Sequence, residues 1–266
     1  MRFKTLKQLQ RRKPYEVRLC NLPEVVTIDS YAKEKAYRIN ELVYEVHGEI
    51  VEWYGFTLAT KSEPRIITDI GLPRNEENLQ QHTSIAPEMI ARYQETLPGH
   101  LVINGWIHSH GDLEFRRFSE TDNENNITVL EFAYTSIKKQ IAKKEVKIKQ
   151  WSFLVENEYS DEDFRSGNAC LITDVPITSA RLFETVYGGF CFCLVIGNDG
   201  WHEQQIYYKK RGILTGESFV DKKEAELKIV DSGRKLSNAE ISALEKKVRE
   251  NIHPVTAPPP ERLERM

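Results

Sequence analysis

No apolar run in this 266-residue chain approaches the roughly 18 residues a transmembrane helix needs, so no membrane span is expected. No GxGxxG or Walker pattern occurs, which removes the common phosphate-loop nucleotide binders. Cysteine is scarce. Cys20, Cys170, Cys191 and Cys193 are the full set, none in a CxxC pair, and their spacing builds no disulfide framework. Cys191 and Cys193 fall on one face of a predicted strand and read as core thiols. A reducing, cytoplasmic compartment is the simplest reading of such cysteine usage. An excess of one charge is also missing. Lys and Arg number 37 against 40 Asp and Glu, for a formal net charge of -3. That is not the profile of a nucleic-acid binder. The basic stretch Lys138–Lys149 is read as a solvated face. The opening "MRFKTLKQLQRRKPYEVRL" is basic but has no apolar core segment, so it is not read as a secretory signal.

The length suits one large domain or one domain with appendages. Residues 1–22 read as a charged, irregular lead-in, and 24–28 as a short strand. Asp29 or Ser30 can cap the helix that follows, and Ala32, Ala36, Ile39, Val43 and Val46 form its apolar stripe. Gly48 stops it. Strands are predicted at 52–60, 64–73 and 100–110, and a helix begins near Pro87. Residues 119–140 start with a cap signature and are predicted helical; 146–156 reads as a strand, and 157–180 as turns. "GFCFCLVIGNDGWHEQQIYYKK" (189–210) reads as a hairpin turning at Asn198-Asp199-Gly200. Ser237 and Glu240 form a capping box for a last helix with Ile241, Leu244, Val248 and Ile252 inward. The tail after it is Pro-rich and charged, a composition that builds no core. The order implies an α/β or α+β domain around a mixed sheet. The domain is expected over 23–212 with an insertion at about 127–185, followed by a C-terminal extension over 213–266.

The chemistry concentrates in "NGWIHSHGDLEFRRFSETD" (104–122). On a strand, positions i and i+2 share a face, so His108 and His110 can aim at one ion. Adding Asp122 gives two imidazoles and a carboxylate, which leave a fourth tetrahedral position open, as in a catalytic zinc site. Taken alone each feature has a plainer reading. With seven histidines, an HxH somewhere arises by chance roughly once in five or six such chains. Ser119-x-x-Asp122 is also good helix-start chemistry. The two readings of Asp122 are compatible. Asp112 is a fallback ligand in a turn. His47, His82, His100 and His202 have no partner at metal spacing, and Trp53 and Trp106 read as core or site-wall residues.

"HSH" at a strand end followed by Ser119-x-x-Asp122 resembles the HxH…SxxD signature of the JAMM (MPN+, JAB-domain) metalloproteases. "VEWYGFTLA" resembles the family's upstream glutamate before a glycine-containing strand, which selects Glu52 over Glu45 and Glu49. The resemblance covers roughly residues 24–125, and the chain looks like a divergent prokaryotic type. Two departures stand out: eight residues rather than seven separate His110 from Ser119, and Gly111 stands where proline is common. The resemblance implies a cytidine-deaminase-like JAB/MPN fold and one Zn2+ ion held by His108, His110 and Asp122. It implies Glu52 as general base and Ser119 as oxyanion donor. It further implies hydrolysis of peptide or isopeptide bonds at the C-terminus of a ubiquitin-like protein, with E1- and E2-like proteins of the same system as further partners. A non-catalytic scaffold of the same fold is the main alternative. An amidohydrolase-type barrel would need further histidine ligands on later strands, and only His202 and His253 lie downstream.

Overall fold

Helix boundaries in this protein are written locally, by caps. The structure, a computed structural model, describes residues 14–75, 85–110 and 116–254. In chain order it opens with β1 (Glu16–Arg18), β2 (Val26–Asp29), α1 (Ser30–His47) and β3 (Tyr54–Thr60). Then come β4 (Ile66–Ile67), β5 (Asp69–Gly71), α2 (Pro87–Thr96), β6 (Leu101–Ser109) and α3 (Glu120–Ile137). β7 (Lys139–Val146), β8 (Trp151–Val155) and β9 (Ala169–Thr173) follow. The chain closes with β10 (Leu182–Ile196), β11 (His202–Gly212), β12 (Ser218–Glu224), β13 (Leu227–Val230) and α4 (Asn238–Asn251).

The expected caps are in place. Asp29 accepts the Tyr31 N–H at 2.8 Å and starts α1. Gly48 ends it in the left-handed region (φ 73°), donating its N–H to the Tyr44 carbonyl. Ala32, Ala36, Ile39 and Val43 are buried, and Val46 is half-buried. Ser237 and Glu240 cap α4 reciprocally, and Leu244, Val248 and Ile252 are buried. In α3 the β-branched run Ile127-Thr128-Val129 is a weak helix former, costing under about 0.7 kcal/mol per residue. Burial of Val129, Leu130 and Ala133 outweighs that, since a fully buried Val or Leu gains about 1.5–3 kcal/mol.

Two compact units share the chain. The larger holds Leu22–Lys139, Gly188–Lys210 and the described residues from Phe219 onward. Its mixed sheet runs β10-β6-β3-β5, with β11 beside β10 and β12 beside β11. β6 is parallel to β10 and antiparallel to β3. It is therefore an inner strand, and the burial of Ile103, Trp106 and Ile107 fits that place. A smaller parallel sheet runs β13-β2-β4. With helices α1 to α4 the protein is of the α+β class expected for a mixed sheet. The smaller unit takes Gln140–Tyr187, Arg211–Ser218 and the described part of Met1–Asn21. In it β1 pairs antiparallel with β7, and β8 pairs parallel with β9. Among the described residues no helix is long and apolar enough to cross a membrane.

Several sequence expectations need correction. Residues 64–73 are not one strand: β4 and β5 belong to different sheets. The Thr68 N–H between them is taken by the Leu58 carbonyl at 2.8 Å. The stretch read as a lead-in contains β1, which finds its hydrogen bonds on β7. The basic stretch 138–149 is not simply a solvated face, because β7 occupies most of it, and Lys144 pairs with Glu217 at 2.8 Å. Helix α3 ends at Ile137, β9 lies within the turn-rich 157–180, and the hairpin's first strand reaches back to Leu182. Each miss involves a strand defined by its partner rather than by its own pattern.

Candidate metal centre

Strand β6 delivers the two histidines. Alternation sends the His108 side chain to one face and Ser109 to the other, and His110 follows one residue past the strand end. His108 is flanked by Tyr54 on β3 and Val195 on β10, and the His110 N–H donates to the Ile196 carbonyl at 3.0 Å. The Nε2 atoms of His108 and His110 lie 3.1 Å apart.

Helix α3 delivers the carboxylate. Asp122 Oδ1 is 3.1 Å from His108 Nε2, and Oδ2 is 3.4 Å from His110 Nε2. Ser119 caps the helix: its Oγ accepts the Asp122 N–H at 3.1 Å, and Asp122 Oδ2 accepts the Ser119 N–H at 2.7 Å. The Ser119 hydroxyl also donates to Asp122 Oδ2 at 2.8 Å. The cap and the approach to both histidines thus coexist in Asp122, and the eight-residue spacing from His110 to Ser119 does not keep it from them. Asp112, the fallback ligand, lies outside the described residues, as does His82.

The three side chains are buried, with exposures of 1% for His108, 3% for His110 and 6% for Asp122. Their ligand atoms all lie within 4.8 Å of one another. Burial holds the His108 imidazolium down, so the ring is neutral near pH 7, the form that binds metal. The Leu194 backbone lies beside this ring, yet Nδ1 makes no hydrogen bond of normal geometry. At Asp122 burial is the largest influence and pushes upward. Hydrogen bonds from His108, His110 and the Ser119 backbone outweigh it and hold the carboxyl well below the usual carboxylate range. Two imidazoles and one ionised carboxylate are a donor set that fits a divalent ion such as zinc.

Glu52 stands two residues before Tyr54, the β3 partner of His108. Continuing the antiparallel register by two residues sets Glu52 opposite His110. It is buried at 6% exposure. Burial pushes its carboxyl up to about 7, with His110 acting downward and Asp122 upward. Glu45, by contrast, is exposed near the end of α1 and held by Arg38. Histidines 47, 100 and 202 are not part of the cluster.

Aromatic rings wall the site. Trp106 stacks on His108 with centroids 4.4 Å apart and 12° between planes, and Phe118 lies 5.9 Å from the same ring. Trp201, from the turn between β10 and β11, meets His110 edge-on at 6.0 Å. Sequence reasoning passed over Trp201 and Ser109. Ser109 donates its N–H to the Trp53 carbonyl at 3.0 Å, and its Oγ accepts the Trp53 N–H at 3.3 Å. It thus ties the residue after Glu52 to the residue between the two histidines. A polar side chain at the end of an apolar strand, facing away from its histidine neighbours, is the signal that could have found it.

A comparison with protein-family models finds no match for this chain, and a comparison with curated proteins finds none.

Proposed function

We propose that this protein is a zinc-dependent peptidase of the JAMM type, with a JAB/MPN fold. Its proposed reaction is hydrolysis of the peptide or isopeptide bond at the C-terminus of a ubiquitin-like protein. One observation carries the reading: a buried His108–His110–Asp122 cluster with a buried glutamate of near-neutral pKa opposite His110. The order of α1, β3, α2, β6 and α3 before the β10–β11 pair supports the fold assignment.

His108, His110 and Asp122 would hold the ion. When bound, zinc supplies Lewis acidity that polarises a carbonyl and makes a water easier to deprotonate. Glu52, with a pKa near 7, takes the proton from the attacking water and returns one to the leaving amine. Ser119 keeps the bond its oxygen accepts from the Asp122 N–H while its O–H turns from Asp122 to the developing oxyanion. Trp106 and Phe118 pack on His108 and exclude bulk water from that ligand. The ubiquitin-like substrate class, and E1- or E2-like partners with it, rest on the sequence resemblance. The free thiols of Cys20, Cys170, Cys191 and Cys193 suit a reducing compartment such as the cytoplasm.

The test is metal analysis of the purified protein beside cleavage of a ubiquitin fusion carrying a short C-terminal extension. One zinc per chain and chelator-sensitive cleavage are expected. Metal-free protein that takes up no added zinc would leave the scaffold role.

A further inference from the structure

We propose that Trp201 is a positioning residue for His110, and that the turn from Gly197 to Trp201 is built to seat its indole against that ligand. The inference rests on the metal reading above. His108 sits within β6 and has Trp106 stacked on it. His110 lies past the strand end, and its N–H bonds to Ile196, the residue that leads into this turn. The same short segment thus fixes the His110 backbone at its start and meets the His110 ring, at 64° and 6.0 Å, at its end.

The turn is held from three sides. Inside it, the Gly197 N–H donates to the Trp201 carbonyl at 3.1 Å, and Gly200 N–H donates to the Gly197 carbonyl at 3.3 Å. From α1, the Tyr37 hydroxyl lies 2.9 Å from the Gly200 carbonyl and 3.2 Å from the Trp201 carbonyl. Asn40 Nδ2 donates to Asn198 Oδ1 as well. From the segment before α3, Arg116 pairs with Asp199 and lies over the indole, 5.9 Å from its centroid. Gly197 has a steric reason to be glycine: a Cβ there would overlap the indole ring. A turn clamped this firmly, around a ring that needs a missing side chain to fit, does more than reverse the chain. Groups outside the ligand set that fix an imidazole's orientation govern metal affinity; hydrogen-bond partners do so by about 10- to 100-fold, and an aromatic edge contact by roughly 2- to 10-fold.

The experiment compares wild type, Trp201→Ala, Trp201→Phe and Gly197→Ala, all full length. Zinc affinity is read by competition with a chromophoric chelator, and Co2+ loading by its visible absorption. Circular dichroism checks the fold. Trp201→Ala is expected to weaken zinc binding roughly 2- to 10-fold and to change the Co2+ spectrum. Trp201→Phe should recover most of both. Gly197→Ala, which keeps the indole but displaces it, should shift the spectrum as Trp201→Ala does. If Trp201→Ala fails to fold, the other two variants decide. Wild-type affinity and spectrum in Gly197→Ala and Trp201→Phe, with Trp201→Ala either matching them or unfolded, overturn the inference and leave the metal reading standing. A wild-type protein that binds neither ion overturns both.

Discussion

Ser119 and Asp122 hold each other in two directions at once: the serine oxygen accepts the aspartate N–H at 3.1 Å, and the aspartate Oδ2 accepts the serine N–H at 2.7 Å. The same carboxylate faces both histidines. Helix cap and proposed metal ligand are therefore one group, and the two roles separate by substitution. Ser119→Ala removes the cap and should cost about 1 kcal/mol of stability while zinc remains bound. Asp122→Ala should lose both the cap and the zinc. Urea unfolding in chelator, beside a zinc titration, reads the two effects. Full zinc occupancy in Asp122→Ala would remove it from the ligand set.

Glu52→Gln is nearly isosteric and leaves the ligands untouched. It should abolish cleavage, by at least about 10²-fold as expected for a lost general base, while zinc content stays at the wild-type level. Full activity in this variant would mean the base is elsewhere.

The buried Glu52 also sets a pH dependence of stability in metal-free protein. Its folded pKa is about 7 against an ordinary 4.5, with burial as the main cause. Between those values the folded state binds the extra proton, so its stabilising contribution is complete below about pH 4.5 and is lost as pH rises through about 7. Glu52→Gln cannot ionise. Its unfolding free energy relative to wild type should therefore rise between pH 5 and pH 8, by up to about 3 kcal/mol. An equal difference at both pH values would place the ionisation on another group.

Ser109→Ala leaves the buried Trp53 N–H without its side-chain acceptor, which should cost about 1–3 kcal/mol. Because Trp53 follows Glu52, turnover should fall while zinc affinity holds. Steady-state kinetics with a metal assay separates the two.

Legibility from sequence followed the range of the interactions involved. Asp29, Ser119, Ser237 and Gly48 act within four residues of themselves, so the starts of α1, α3 and α4 and the end of α1 could be read directly. The HxH pair was legible because period two is a property of any strand. β7 was not, since its lysines carry no strand pattern and β1 supplies its pairing from far away in sequence. The division of 64–73 into β4 and β5 depends likewise on two different partners. Trp201 was missed for the same reason: nothing near it in sequence announces His110.

The parallel pairing of β6 with β10 has a consequence for how the protein comes into being. His108 lies beside Val195, and His110 bonds to Ile196, so β6 and the histidine that follows it gain one flank only after most of the chain has been made. Closing so large a loop is slow compared with forming a hairpin. During synthesis the histidines, Asp122 and Glu52 all leave the ribosome before the strand that completes their surroundings. A nascent or truncated chain ending near residue 125 carries every residue of the proposed chemistry without β10 or the Trp201 turn. The chain order itself thus delays completion of the proposed metal site until the rest of the molecule is in place.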